Sequence, residues 1–129
     1  MAKILLVEDN EMNQDMLSRR LKGRGYTVVI AKDGAQARAM ALSEKPDIIL
    51  MDIGLPDMDG WDVTRLLKAD EQTRKIPVIA LTAHALVTDR NKAFAVGCDG
   101  YDTKPVDFAR LTQKIAALLA ARECHEVQA

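Results

Sequence analysis

The sequence predicts an α/β domain in which a strand-then-helix unit occurs five times, giving a doubly wound parallel sheet covered by helices on both faces. Three observations carry this expectation. Short apolar runs recur along the chain, segments of helical period lie between them, and glycine or proline punctuates the junctions.

The first run, Ile4–Val7, is too short for a helix and reads as a buried strand. Met12, Met16, Leu17 and Leu21 then form an apolar helical stripe, with Gly23 and Gly25 at its end. Tyr26–Ile30 is the second strand, followed by a helix marked by Ala37, Met40 and Ala41. Pro46 precedes the third strand, Ile48–Met51, and Val63, Leu66 and Leu67 mark the next helix. Pro77 precedes the fourth strand, Val78–Leu81, and Leu86, Ala93 and Phe94 mark a helix closed by Gly97. Gly100–Thr103 is a weaker fifth strand before a last helix carrying Phe108, Leu111, Ile115, Leu118 and Leu119. No repeat or linker interrupts the series, so residues 1–122 are expected to form one domain, with 123–129 as a short loose tail.

Of the 129 residues, 48% are hydrophobic and 29% charged, the balance of an ordinary globular domain. The 18 basic and 19 acidic residues nearly cancel, so no global field draws the chain to nucleic acid or an anionic membrane. Arg19, Arg20, Lys22 and Arg24 cluster near a helix C-terminus, where cations complement the dipole, and read as a solvated face and not as a nucleic-acid site. Cys98 and Cys124 belong to no C-x-x-C pair, which suits free thiols in a reducing cytoplasm. The apolar N-terminal run is too short for a signal sequence or a membrane span, and a cytoplasmic location is expected.

In an open parallel sheet, ligands bind beyond the carboxyl ends of the strands, where strand order reverses. That rule brings together Glu8-Asp9-Asn10 after strand one, Asp52 after strand three, Thr82-Ala83 after strand four and Lys104-Pro105 after strand five. Singly, Asp9 or Asn10 could cap the first helix, Thr82 the fourth, and Lys104 could be a solvated lysine. Together, Glu8, Asp9 and Asp52 would repel one another unless a cation sat among them. A hard divalent ion suits such an all-oxygen set, and Mg2+ suits one that also receives phosphate. Asp52 can then be a nucleophile, with Lys104 and Thr82 supplying a cation and a hydroxyl to the transferred oxygens.

These stretches are Ile4–Asn10, Asp47–Pro56 with Asp59-Gly60, Pro77–Ala83 and Gly100–Pro105. They closely resemble the motifs of response-regulator receiver domains of bacterial two-component signalling, over essentially the whole chain. The resemblance implies a flavodoxin-like sheet of strand order 2-1-3-4-5 with five helices. It makes Asp52 the phospho-acceptor, with Glu8, Asp9, Asp52 and the backbone carbonyl of Gly54 holding Mg2+. Thr82 and Lys104 would contact the phosphoryl group, Thr82 and Tyr101 would form the switch pair, and Pro105 would follow a cis peptide bond. Gly54 and His84 occupy positions that look like modulators of phosphoryl lifetime. The implied function is that of a single-domain regulator in a two-component system or phosphorelay. Its phosphodonor would be a histidine kinase or histidine phosphotransfer protein. Its output would be a protein target meeting the face of helix four, strand five and helix five. A relay intermediate or phosphate sink is the alternative.

A haloacid-dehalogenase-like phosphatase would also use a nucleophilic aspartate and Mg2+, but it needs a second carboxylate two residues on, where Gly54 stands. The chain is therefore expected to act only on its own aspartate and not as a turnover enzyme. A flavin-binding relative of the fold would want a hydroxyl-rich phosphate loop in place of this acidic rim. Gly23-Arg24-Gly25 lacks the third glycine of a dinucleotide loop, and Asp57–Gly60 lacks the glutamate of a calcium loop, Lys68 standing in its place.

Overall fold

The computed structural model describes the backbone of residues 2–82, 87–104 and 106–128, and the side chains of 2–82, 91–104 and 106–121. Five strands and five helices alternate: β1 (Lys3–Val7), α1 (Glu11–Gly23), β2 (Thr27–Ala31), α2 (Gly34–Ser43), β3 (Ile48–Asp52), α3 (Gly60–Ala69), β4 (Val78–Thr82), α4 (Val87–Ala95), β5 (Gly100–Thr103) and α5 (Phe108–Gln128). All pair in parallel in the order β2-β1-β3-β4-β5, with Leu5 opposite both Val29 and Ile49 and Met51 opposite Ala80. The expected flavodoxin-like topology is observed. Strand order reverses between β1 and β3, so their carboxyl ends form the crevice where such sheets bind ligands.

The central strands are apolar except at their ends because both faces are covered. On one face Leu5, Val7, Ile49, Met51, Val78 and Ala80 meet Ala37, Ala41, Val63, Leu67 and Ala93 of α2, α3 and α4. On the other, Ile4, Leu6, Ile48, Leu50, Ile79 and Leu81 meet Leu17, Leu21, Leu111 and Ile115 of α1 and α5. This odd-even division is the two-residue period of a strand, and truncating any of these leucines to alanine typically costs about 2–5 kcal/mol.

The first helix differs from expectation. Its buried stripe is Gln14, Leu17, Ser18 and Leu21, while Met12 and Met16 are exposed, at 81% and 46%. A polar residue can take the inner position because the Gln14 amide donates to the carbonyl of Glu8 at 2.6 Å, which pairs two buried polar groups with each other. Leu66 and Phe94 also face outward. Strand β2 starts one residue later than predicted, because the Tyr26 N–H still bonds the Leu21 carbonyl in the turn that ends α1. Gly25 makes that turn at φ 93°, a conformation side chains disfavour. Finally, α5 continues through residue 128, so the segment expected as a loose tail has a helical backbone.

Candidate functional site

Asp52 is the last residue of β3 and is 5% exposed. Its two carboxylate oxygens have different partners: Oδ1 accepts the N–H of Gly54 at 3.0 Å, and Oδ2 lies 3.0 Å from Lys104 Nζ. Lys104 follows β5, whose end is tied to β4 by the Lys104 N–H on the Thr82 carbonyl at 2.7 Å. Thr82 itself ends β4 and is buried, opposite Thr103, so its place is in the strand and not at a helix cap.

Glu8 follows β1 and is 1% exposed. Its Oε1 accepts from the Asn10 N–H at 3.2 Å and from Asn13 Nδ2 at 3.4 Å, and its Oε2 lies 3.4 Å from Lys104 Nζ. Asn10 caps α1, its side chain accepting the Asn13 N–H at 3.1 Å. Neighbouring Asp9 is exposed and brings a carboxylate oxygen close to the other two acids: oxygens of Glu8, Asp9 and Asp52 lie within 4.8 Å of one another.

Three carboxylates therefore cluster here, and the Lys104 ammonium contacts two of them, those of Asp52 and Glu8. Burial, and then the charge of Asp52, raise the Glu8 pKa, and Lys104 only partly offsets them. For Lys104 itself burial works against the charge, yet the hydrogen bond and charge of Asp52, with those of Glu8, outweigh it and raise the lysine pKa. A site of surplus negative charge built only from oxygen donors fits a hard divalent cation.

Tyr101 sits on β5 opposite Ala80, half-buried against the α2–α4 side of the core. The strand is bound to α5 at this point, where Lys114 Nζ donates to the Tyr101 carbonyl and Arg110 donates to the buried Asp102 through Nε at 3.0 Å and Nη2 at 2.6 Å. His84 and Pro105, with its expected cis bond, lie outside the described residues.

A sequence profile of the response regulator receiver domain matches residues 4–116. The chain belongs to that family. As a receiver, it is 38% identical over 116 residues to the polar-differentiation response regulator DivK of Brucella anthropi, covering 90% of this chain and 94% of that one. Its fold is similar to the receiver domain of a sensor histidine kinase from Pseudomonas aeruginosa, at 40% identity and TM-score 0.85 over 92% of this chain and 98% of that one. That structure holds a magnesium ion coordinated in its active-site cleft. A response regulator from Chloroflexus aurantiacus superposes with TM-score 0.88 at 28% identity, covering 92% and 98% of the two chains. Among the described residues of this receiver, no helix is long and apolar enough to cross a membrane.

Sequence reasoning brought Glu8, Asp9, Asp52, Thr82 and Lys104 to one rim, and the structure places them there. It missed the polar residues that hold Glu8, namely Asn13 and Gln14, and the hydrogen bonds of Asp57 to the first turn of α2. Gln14 could have been found from its helical spacing with Leu17, Ser18 and Leu21.

Proposed function

We propose that this receiver accepts a phosphoryl group on Asp52 from a histidine kinase or a histidine phosphotransfer protein. The observation that carries the reading is the Asp52 Oδ2–Lys104 Nζ contact of 3.0 Å beside two further carboxylates. A carboxylate oxygen of Asp52 attacks phosphorus, the phosphorus–nitrogen bond of the donor phosphohistidine breaks, and imidazole leaves with that electron pair and takes up a proton. The attacking oxygen is that of a carboxylate, so the step needs no side chain as a general base. Lys104 is placed to pair with a transferred oxygen, and Thr82, at the end of the adjacent strand, offers a hydroxyl. Mg2+ held by Glu8, Asp9, Asp52 and the carbonyl of Gly54 would neutralise charge on the phosphoryl oxygens.

Output follows from a shift between two states. A phosphoryl oxygen offers Thr82 a charge-assisted hydrogen bond in one state only, and Tyr101 turns inward with it. The face of α4, β5 and α5 then presents an altered surface to a protein target in the cytoplasm. Glycine at position 54 leaves the site without the acid/base that a phosphatase would need for turnover.

The test is incubation with Mg2+ and acetyl phosphate, followed by mass mapping of the adduct. One phosphoryl group on Asp52 is expected, and wild-type labelling of Asp52→Asn would reject the assignment.

A further inference from the structure

The loop between β3 and α3 carries Gly54, and it is fixed at its base. The Ile53 N–H bonds the Leu81 carbonyl at 3.1 Å, and the Gly60 N–H returns to the Ile53 carbonyl at 3.1 Å. Far from that base, Asp57 reaches out of the loop to the first turn of α2. Its Oδ1 accepts the Gly34 N–H at 2.8 Å and its Oδ2 accepts the Ala35 N–H at 3.1 Å. These are groups that the helix itself leaves without partners, and a carboxylate there also meets the positive end of the helix dipole. The fit is close: a Cβ on Gly34 would stand 2.8 Å from Val63 Cγ2 and 3.1 Å from Met58 Cβ.

We propose that Asp57 is a positioning residue for the phospho-acceptor site, a latch that holds the β3–α3 loop against α2 and so sets the place of Gly54 beside Asp52. The inference rests on the receiver reading above. It connects two observations that the site alone leaves separate. The Gly54 N–H holds Asp52 Oδ1, which leaves Oδ2 facing Lys104, and beyond the hydrogen bonds of Ile53 at its base the loop bearing Gly54 is held to neighbouring elements by Asp57 and by the apolar packing of Ile53, Leu55 and Met58. The hydrogen bond from Gly34, opposed by some desolvation and aided by the bond from Ala35, lowers the pKa of the exposed Asp57, so the latch is ionised at neutral pH. Helix α2 has a second cap within its own chain segment, where Asp33 accepts the Gln36 N–H at 2.8 Å. Loss of α2 capping and loss of the latch can therefore be separated.

The experiment compares wild type, Asp57→Ala, Asp57→Asn and Asp33→Ala. Magnesium affinity is read by Trp61 fluorescence, and the rate of labelling by acetyl phosphate is read at saturating Mg2+, with each thermal midpoint recorded. A misplaced site loses rate out of proportion to stability, and Asp57→Ala is expected to weaken Mg2+ binding and slow labelling by about tenfold. Asp57→Asn, which keeps an oxygen acceptor, should recover part of both, and Asp33→Ala should lower the midpoint while leaving affinity and rate near wild type. Wild-type behaviour of Asp57→Ala overturns the latch, as does an equal loss in Asp33→Ala, which would make the effect one of helix stability. Failure of wild type itself to label overturns the proposal that Asp52 accepts a phosphoryl group, and the latch with it.

Discussion

Lys104 Nζ lies 3.0 Å from Asp52 Oδ2 and 3.4 Å from Glu8 Oε2, so a single ammonium bridges the acceptor and the most buried acid of the site. Removing it leaves the surplus charge unopposed. Lys104→Met is expected to fold, since the lysine makes no contribution to either apolar core cluster, but to slow labelling of Asp52 by about a hundredfold, the usual loss when one preorganised donor is removed. Labelling kinetics with acetyl phosphate check this, and an unchanged rate would mean that Lys104 does not meet the transferred group.

The raised pKa of Glu8 gives a pH dependence with a definite sign. In the folded, metal-free protein Glu8 holds its proton to higher pH than in the unfolded chain, where the value is 4.5. The folded state therefore binds more protons across that interval, and this group's contribution to stability falls as pH rises from 4.5 through the raised value. Above it, the buried ionised carboxylate is a standing cost that a divalent cation offsets. Glu8→Gln should melt at a higher temperature than wild type at pH 7 without metal, and its midpoint should respond less to added Mg2+. Calorimetry with and without Mg2+ measures both.

Gln14 tests the support beneath the site. Its amide is the partner of the Glu8 carbonyl, and both are buried. Gln14→Leu keeps the apolar volume but strands that carbonyl, at a cost of about 1–3 kcal/mol in urea denaturation. A cost near zero would show that the bond is replaced by water.

The strands and the rim were legible because their signals are local. A strand buried on both faces is apolar at every position, and residues that end parallel strands must share one edge. The Met12 and Met16 stripe was misread because hydrophobic periodicity treats a glutamine as outward-facing, whereas Gln14 is buried through a bond to a carbonyl six positions earlier. Asp57 was invisible for a different reason. Its partners, Gly34 and Ala35, stand 23 and 22 residues away, and only the packing of α2 on α3 brings them to it.

The two glycines that flank the acceptor loop should respond unequally to a methyl group. At Gly60 a Cβ would meet the Asp52 carbonyl oxygen at 2.6 Å and Ile53 Cα at 2.7 Å, and these are backbone atoms that cannot swing aside. The atoms pushed belong to the acceptor residue and to its neighbour at the strand end, so the strain falls on the site itself. At Gly54 the nearest atom to a Cβ is Asp52 Oδ1 at 3.8 Å, an ordinary contact. Gly60→Ala is expected to lose about 1–3 kcal/mol of stability, as overpacking of a tight site does, and to bind Mg2+ more weakly. Gly54→Ala should stay within about 0.5 kcal/mol of wild type, the range of surface changes that create no strain. Urea denaturation gives the first comparison and a Mg2+ titration the second. Should Gly60→Ala match Gly54→Ala in both, the loop base is softer than these contacts require, and Gly60 is not what seats the acceptor strand against α3.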